Sequence, residues 1–383
     1  MAEIHGVCGE KYRAVRDGFE AILDNGKDYG ASVAVFIDGK PEVDLYGGYI
    51  DEARTRLWQP DTIVNTFSTT KTMTALSMLI LADRGELDLN APVAKYWPEF
   101  AANGKADVLV RHVLSHSAGL PGWTEPMTVA DICDWDKATT TLARQAPWWK
   151  PGSAIGYHAI TFGPLLGELV RRITGQTLKA FFASEVARPL GAEYHIGAPP
   201  EADQRVSLLI QSAPPRPKGS GGSLADRALY NPYVMPQDSA TIMWRRAELG
   251  GSNGHGNAHS AALAQQVVAC SGEVNGVRLL SEEGVLRALQ VEADDMDQIM
   301  GMRTRWGLGY GLEGPTINAI CGSRFVGHRV AYWGGSGGSI AFNDLDLRMT
   351  FAFVMNRHVE HGFTDSRGLD LVAATYDSLR VAA

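Results

Sequence analysis

The chain of 383 residues is 45% hydrophobic and 20% charged, which is typical of a globular protein with a sizeable core. Its formal net charge of -8 argues against a nucleic-acid-binding protein or one held to an anionic membrane, because both need a basic surface. The four cysteines lie far apart and form no CxxC or Cys/His cluster. Neither a zinc site nor a disulfide framework is therefore predicted.

The first residues, MAEIHGVCGEKYRAV, lack the basic segment followed by an apolar segment that marks a signal peptide. The longest apolar helical run, residues 73–82, is too short to span a bilayer. We therefore expect a cytoplasmic protein with a small-molecule substrate and with no membrane or nucleic-acid partner. We predict no cofactor and no metal, and the oligomeric state stays open.

The first elements in chain order are a helix and a hairpin. Residues 11–26 have helical spacing, with Val15, Phe19 and Leu23 on one face. The β-rich runs ASVAVFID and PEVDLYGGY then flank an Asp-Gly-Lys turn at 38–40, a pattern that predicts a β-hairpin. The sequence after the hairpin is mostly helical in pattern, interrupted by loops rich in Pro, Gly and Trp.

The last elements are three β-rich runs, RFVGHRVAYWG, GSIAFND and LRMTFAFVMN, and a helical tail at 364–381. Strands and helices at both ends of a helical middle predict an α+β fold, with one antiparallel sheet built from both chain ends and flanked by helices. We place the sheet domain at 1–84 and 300–383, and an inserted, mainly helical domain with long loops at 85–299.

Two stretches, 212–223 and 250–257, are loops by composition. Together with residues 123–150, the region 212–257 is expected to shape a substrate pocket where the two domains meet. The conformations of these segments do not follow from the sequence.

Ser68 and Lys71 form a candidate catalytic pair at a helix start. The run FSTTKTMTALSMLILADRG changes from extended to helical at Ser68, and Gly85 is a plausible end of the helix. Side chains three apart on a helix lie about 5–6 Å apart at Cβ, so a lysine amine of lowered pKa could take the serine proton. The helix N-terminus favours a developing oxyanion. Alternatively, Ser68 only caps the helix and Lys71 is solvated, since S-x-x-K is a short pattern.

Tyr157 is a candidate partner of this pair. It follows a Pro-Gly turn in WWKPGSAIGYHAITFGPLLGELV and precedes a strongly apolar helix. A tyrosine held partly as phenolate by the ammonium of Lys71 could move protons between the nucleophile and the leaving group. The alternative is a tyrosine that only packs between two domains.

A second candidate partner is the run YWGGSGGSIAFND, which lies between two predicted strands. Glycines on a strand allow a substrate to lie close to the backbone. A free N–H in this run could complete an oxyanion hole with the N–H of Ser68. The alternative is a flexible turn.

These motifs, in this order, resemble the serine β-lactamase and penicillin-binding superfamily, and specifically the class C β-lactamase branch with its family VIII carboxylesterases. The segments that carry the resemblance are FSTTK, VRHVLSHSAGLPGW, PGSAIGYHAITFGPLLGELV, NGHGNAHSAALAQ, RWGLGYGL and YWGGSGGSIAFND. The resemblance implies an α/β sandwich of the β-lactamase/transpeptidase type and catalysis through an acyl-enzyme.

The resemblance also implies roles for individual residues. Ser68 would be the nucleophile, Lys71 its proton acceptor and Tyr157 the catalytic phenol. The backbone N–H groups of Ser68 and Ser336 would form the oxyanion hole. The substrate-binding strand would be the segment that takes the place of the family's Lys-Thr-Gly, namely Trp333, Gly334 and Gly335.

Two departures from the β-lactamase pattern favour an esterase. The family's Tyr-x-Asn is replaced by Tyr157-His158-Ala159, and alanine lacks the amide that holds a β-lactam side chain. Trp-Gly-Gly in place of Lys-Thr-Gly removes the cation that would pair with an antibiotic carboxylate, and it is a familiar variant among the esterases. With no export signal predicted, we expect a serine carboxylesterase acting on uncharged, small to medium acyl esters.

Other functions with the same site are a β-lactamase, a D-amino-acid peptidase or an acyltransferase. A non-catalytic binding protein is a further alternative, and the intact Ser–Lys–Tyr set argues against it. Residues 334–338 also fit the G-x-S-x-G signature of α/β-hydrolases. That signature needs a helix after the serine, whereas β-rich runs follow Ser336, so we reject Ser336 as the nucleophile.

Several histidines and tryptophans remain open. His112 and His116 have the i, i+4 spacing of a metal pair but lack the glutamate of the zinc-protease pattern, so core histidines are favoured. His158 either tunes Tyr157 or has no role. Four tryptophans either line an acyl pocket or belong to the core: Trp123, Trp148, Trp149 and Trp306.

Overall fold

The structure is a computed structural model that describes residues 3–211, 222–359 and 365–380. Its strands are β1 (Ile4–Cys8), β2 (Gly30–Ile37), β3 (Lys40–Gly48), β4 (Ile63–Asn65), β5 (His195–Ile196), β6 (Val206–Ser207), β7 (Ile210–Gln211), β8 (Gly254–Gly256), β9 (Glu273–Val274), β10 (Val277–Arg278), β11 (Ala293–Met296), β12 (Arg303–Trp306), β13 (Gly311–Leu312), β14 (Val330–Gly334), β15 (Ile340–Asp344), β16 (Met349–Met355) and β17 (Arg357–His358). Its α-helices are α1 (Arg13–Asp24), α2 (Thr70–Asp83), α3 (Val110–Leu114), α4 (Val129–Cys133), α5 (Trp135–Arg144), α6 (Phe162–Thr174), α7 (Leu178–Phe182), α8 (Arg188–Leu190), α9 (Leu224–Leu229), α10 (Ile242–Arg246), α11 (Ala258–Ala269), α12 (Glu282–Ala288), α13 (Pro315–Cys321) and α14 (Ser366–Arg380).

A nine-stranded antiparallel sheet joins the two ends of the chain. Its order is β1-β3-β2-β16-β15-β14-β13-β12-β11, and β2 pairs with β16 along its length, with Ala34 opposite Ala352. All seven residues of β16 are buried, as expected of a strand covered on both faces. Helices α1 and α14 pack together and contact the sheet, and α11 contacts β2, β15 and β16. The predicted α+β fold, with a sheet built from both chain ends, is confirmed.

The local predictions at both chain ends are also confirmed. The helix at 11–26 is α1, and the hairpin is β2 and β3, whose turn has positive φ at Asp38 and Gly39. The three β-rich runs near the C-terminus are β14, β15 and β16, and the tail is α14. Within the described residues no helix is long and apolar enough to cross a bilayer.

The prediction of a loop at 250–257 is wrong in part. Gly254–Gly256 form the buried strand β8, which pairs with β4 and β5 in a small second sheet. A Cβ on Gly254 would lie 2.2 Å from the Tyr194 hydroxyl, so the glycine allows a tyrosine to lie against the strand. Of the other predicted loop, 212–223, residues 212–221 lie outside the described part of the chain.

The division into two domains stays a prediction, and the packing suggests a shift of one boundary. Helix α11 and strand β11 lie inside 85–299, yet α11 packs on the large sheet and β11 is its edge strand. We therefore propose that the sheet domain resumes at Ala258 rather than at residue 300.

Candidate active site

Ser68 lies between the short strand β4 and the first turn of α2, in a constrained backbone. Phe67, just before it, has φ 43°, a left-handed conformation that is unusual for a bulky residue. The Phe67 carbonyl accepts hydrogen bonds from the Thr70 backbone N–H at 3.0 Å and from its hydroxyl at 2.5 Å. In a trans peptide the N–H points away from the preceding C=O. The Ser68 N–H is therefore directed away from Thr70.

Lys71 is buried in the first turn of α2, with 1% of its surface exposed. Its Nζ lies 3.1 Å from Ser68 Oγ, 2.7 Å from the Ala159 carbonyl oxygen and 2.8 Å from that of Gly251. Burial holds the pKa of the amine well below its usual 10.5, which favours the neutral form. A neutral amine has two N–H donors for the two carbonyls and one lone pair, which then faces the Ser68 hydroxyl.

Tyr157 lies in the loop before α6, with its ring over Lys71. Lys71 Nζ is 4.8 Å from the ring centroid, and the phenol oxygen accepts a hydrogen bond from Trp333 Nε1 at 2.9 Å. Burial raises the pKa of Tyr157, although hydrogen bonds to Ser68 and Trp333 oppose the shift. The raised pKa favours the neutral phenol over the partial phenolate expected from the sequence.

The turn after β14 is attached directly to the segment that carries Ser68. Ser339 Oγ donates to the Thr66 carbonyl at 2.8 Å and lies 3.0 Å from Thr69 Oγ1. A Cβ on Gly335 would lie 2.0 Å from the same Thr66 oxygen, so only glycine permits this approach.

The same turn sets the direction of the Ser336 N–H. The Gly335 carbonyl accepts from the Gly338 N–H at 3.1 Å, so the Ser336 N–H points away from Gly338. Across residues 3–211, 222–359 and 365–380, neither the Ser68 nor the Ser336 backbone N–H has an acceptor. Both residues line one cavity. Two such N–H donors beside a serine hydroxyl are an arrangement that can stabilise an oxyanion.

The cavity is open and largely apolar, with a volume of about 460 Å³. Its apolar lining includes Ile160, Tyr230, Tyr233, Val234, Ile299 and Met300. The charged side chains in the described lining are all paired. Arg303 and Arg305 donate to Asp294 at 2.7 and 2.9 Å, and Asp365 accepts from Arg367. Within residues 3–211, 222–359 and 365–380, the lining therefore offers no unpaired cation to a substrate carboxylate.

Comparison with known proteins identifies the family. The family model described as beta-lactamase matches residues 15–374. The chain belongs to the β-lactamase family. The esterase/beta-lactamase LipL of Mycobacterium tuberculosis is 33% identical over 369 residues, which cover 92% of this chain and 83% of LipL.

Solved structures give the same result for this β-lactamase-family protein. The crystal structure of a family VIII carboxylesterase matches it with a TM-score of 0.90 and 38% identity, covering 98% of this chain and 100% of that one. A penicillin-binding protein homologue from Caulobacter crescentus matches with a TM-score of 0.90 and 34% identity, at the same coverages. The resemblance inferred from the motifs is confirmed, and the protein is a serine hydrolase of this family.

The four tryptophans considered as walls of an acyl pocket lie outside the described lining of the cavity. Trp306 lies behind the wall, parallel to the Tyr157 ring at 6.1 Å and 4.2 Å from the Trp333 ring. The other three donate their indole N–H groups elsewhere, to Ala138, Thr124 and Ala154.

His112, His116 and His158 make separate contacts with backbone or aromatic groups. His112 Nδ1 accepts from its own helix start at Leu109, and His116 Nδ1 accepts from the His158 backbone N–H at 3.1 Å. Among the described residues, neither belongs to a group with metal-binding geometry. His116 instead packs 5.0 Å from the Tyr157 ring. Burial lowers the pKa of His158 to about 3, so it remains neutral.

Asp297 is a site residue that the sequence did not indicate. It is 1% exposed, and its Oδ1 accepts from the backbone N–H groups of Tyr157, Ile299 and Met300 at 3.1, 2.9 and 2.9 Å. One carboxylate thus connects the loop of the phenol to the cavity wall. In the sequence it is one acid in a run of four, EADDMD, and nothing marks it out from its neighbours.

Proposed function

We propose that the protein is a carboxylesterase that hydrolyses uncharged, small to medium acyl esters through a covalent acyl-enzyme on Ser68. The observation that carries the proposal is the buried amine of Lys71, 3.1 Å from Ser68 Oγ and with its pKa lowered by burial. A serine hydroxyl becomes a competent nucleophile when such a base accepts its proton.

In the acylation step, Ser68 Oγ attacks the ester carbonyl carbon while its proton passes to the Lys71 lone pair. The carbonyl oxygen becomes negatively charged and accepts hydrogen bonds from the backbone N–H groups of Ser68 and Ser336. Donors already directed at this position stabilise the transition state without reorganisation, and each is worth about 10²–10³ in rate.

In the second part of acylation, the intermediate expels an alkoxide. The neutral phenol of Tyr157, hydrogen-bonded to Ser68 and Trp333, donates its proton to the leaving oxygen. Lys71 then returns the proton it accepted to the phenolate, so the protons balance and the alcohol leaves. Deacylation runs the same transfers in reverse: Tyr157 passes its phenol proton to Lys71 and takes a proton from water, whose oxygen attacks the acyl carbon. The Lys71 ammonium then protonates Ser68 Oγ as the acyl–oxygen bond breaks, which releases the acid and restores Ser68.

The proposal of esters rather than β-lactams as substrates is based on the residues that surround Ser68, Lys71 and Tyr157. Trp333 stands where the β-lactamase pattern has a lysine, and the arginines that line the cavity are paired with Asp294. Ala159 offers a methyl group, and its carbonyl oxygen is already bound by Lys71. A largely apolar cavity, with its described arginines paired, favours uncharged acyl groups.

The test is hydrolysis of a p-nitrophenyl ester series from acetate to octanoate, with nitrocefin in parallel. Wild type should turn over the acetate and butyrate esters faster than nitrocefin, and Ser68→Ala should lose activity while keeping the wild-type circular dichroism spectrum. Ser153→Ala, at an exposed serine, is the matched control. Full activity in Ser68→Ala would exclude the mechanism, and faster nitrocefin turnover would favour a β-lactamase.

A fluorophosphonate probe separates a hydrolase from a protein that only binds. Intact-mass spectrometry should show one adduct on wild type and none on Ser68→Ala. A protein without an activated serine should gain no adduct. A cytoplasmic location and an ester as the small-molecule partner stay predictions at this stage.

A further inference from the structure

His358 lies beneath the two backbone segments that carry the proposed oxyanion donors. It ends β17, is 4% exposed and lines the cavity. Its Nε2 is 2.8 Å from Ser336 Oγ, and its ring packs edge-on against the Phe67 ring at 5.9 Å between centroids. One side chain therefore contacts Ser336 itself and the residue before Ser68.

Both segments depend on their surroundings for their conformation. Phe67 holds a positive φ of 43°, which persists in a non-glycine residue only where neighbouring groups enforce it. Ser336 precedes Gly337 and Gly338, whose φ values are 96° and 119°, and glycines leave a backbone many alternatives. A Cβ on Gly337 would lie 2.8 Å from the imidazole Cδ2, so the ring also packs directly against this turn.

The imidazole of His358 is suited to accept a hydrogen bond from the Ser336 hydroxyl. Burial, with a smaller effect from the nearby Arg367, lowers the pKa of His358 to about 4, and Asp365 opposes the shift. The ring is therefore neutral at neutral pH, and a neutral imidazole has one acceptor nitrogen.

We propose that His358 is a positioning residue for the oxyanion hole, holding the Ser336 backbone through its hydroxyl and the Phe67–Ser68 peptide through the Phe67 ring. The inference rests on the proposed function and deepens it. His358 takes no part in proton transfer, for which Lys71 and Tyr157 suffice.

This role predicts a particular kinetic signature. Misplaced donors weaken stabilisation of the transition state more than binding of the ground-state ester, so kcat falls while KM changes little. Removing a whole donor lowers the rate about 10²–10³-fold. Removing the His358 contacts leaves both donors in place but less firmly positioned, so kcat should fall by a smaller factor, about 10-fold or more.

The experiment compares His358→Leu, His358→Gln, Ser336→Ala and the double variant Ser336→Ala/His358→Leu, with His5→Leu on the edge strand β1 as the control. We measure kcat and KM for p-nitrophenyl butyrate, and the second-order rate of Ser68 phosphonylation by a fluorophosphonate. His358→Leu and Ser336→Ala should each lose kcat at nearly constant KM. The amide of His358→Gln can accept the hydroxyl and should restore part of the rate.

The double variant should lose little more kcat than the worse single variant, because both substitutions remove the same hydrogen bond between Ser336 and His358. Wild-type kcat in His358→Leu, or fully multiplicative losses in the double variant, would overturn the inference. If His358→Leu does not fold, Ser336→Ala still decides, since it removes the hydrogen bond to His358 and leaves the imidazole packed on Phe67. Wild-type kcat in Ser336→Ala would then overturn the inference.

The two readouts keep this inference separate from the proposed function. If wild type hydrolyses no ester, the proposed function is wrong. The phosphonylation rates still test the positioning role, since the phosphoryl oxygen needs the same donors. Equal phosphonylation rates in wild type and His358→Leu would then overturn the inference.

Discussion

At the scale of single residues, the proposed chemistry depends on the protonation state of Lys71. Burial removes water from the amine, and its contacts are two carbonyls and a hydroxyl. The neutral form is thereby ready to act as a base at a pH where an exposed lysine is fully charged.

Substitution of Lys71 by arginine tests this account. A guanidinium cannot be deprotonated in a protein, so Lys71→Arg should lower kcat/KM for p-nitrophenyl butyrate by about 10²–10⁴-fold. Lys95→Arg, at an exposed position, should leave it unchanged. Substantial activity in Lys71→Arg would show that the lysine acts only through its charge.

The pH profile of kcat/KM follows from the same group. The proposed mechanism requires the base form of Lys71, so activity should be low below its pKa, rise through it and reach a plateau above it. Because burial lowers that pKa, the rising limb should lie well below 10.5. Lys71 and Tyr157 are close enough that the limb reports the pair. A limb at the ordinary lysine value would contradict the neutral-amine mechanism.

The hydrogen bond from Trp333 to Tyr157 can be tested separately from the packing of the Trp333 ring by substituting phenylalanine. Its indole N–H donates to the Tyr157 oxygen at 2.9 Å, and in the proposed mechanism this donor stabilises the phenolate formed as the leaving group departs. Trp333→Phe keeps most of the wall and removes this donor, which should lower kcat by about 10-fold, equivalent to roughly 1–1.5 kcal/mol. Trp149→Phe, whose N–H bonds outside the cavity, is the control. An equal effect in both variants would assign the loss to packing.

At the scale of elements, the site depends on close contact between the turn after β14 and the segment before α2. Gly335→Ala should disrupt that contact, because the new Cβ would lie 2.0 Å from the Thr66 carbonyl oxygen. We expect a loss of about 1–3 kcal/mol in the free energy of unfolding and a larger relative loss in kcat. Gly222→Ala, with no atom within 4 Å of its Cβ, should change neither. Urea denaturation and ester hydrolysis measure both effects, and an unperturbed Gly335→Ala would contradict the close approach of the turn to Thr66.

The elements also show where sequence patterns succeed. Ser68 and Lys71 are three residues apart in one helix, and a helix fixes their proximity locally. The hairpin of β2 and β3 is likewise a short-range structure marked by its Asp-Gly turn. Strand β8 does not follow from the sequence, because its glycines are typical of a loop. Their packing against the Tyr194 side chain, which requires glycine, is visible only in the folded structure.

Contacts between distant segments could not be predicted in the same way. Lys71 bonds carbonyls 88 and 180 positions away, and backbone carbonyls carry no residue-specific signal. Asp297 and His358 reach the site only through the folded arrangement of β11 and β17 with the rest of the chain. The order of family motifs indicated Tyr157 and Trp333, but not the hydrogen bond between them.

At the scale of the whole molecule, the two chain ends are joined by the sheet and by a buried ion pair. Arg367 in α14 donates to Asp28, just before β2, at 2.7 Å, and both side chains are almost fully buried. Removing one partner of a buried pair leaves an uncompensated charge and typically costs about 3–5 kcal/mol.

Arg367→Met should therefore lower the free energy of unfolding by about that amount, roughly 3–5 kcal/mol. Arg329→Met, which breaks the exposed pair with Asp346, should cost less than about 1 kcal/mol. Equilibrium denaturation in urea compares the two. Similar small losses would mean that the buried pair does not hold the chain ends together.

The central claim is that ester hydrolysis proceeds through an acyl group on Ser68, and the most direct measurement is to trap that group. The reaction with p-nitrophenyl butyrate is quenched with acid during turnover. The protein is then digested with a protease, and its peptides are mapped by mass spectrometry. We predict one butyryl group on the peptide that contains Ser68, absent from Ser68→Ala. Acylation of a different residue, or turnover that continues in Ser68→Ala, would contradict the account.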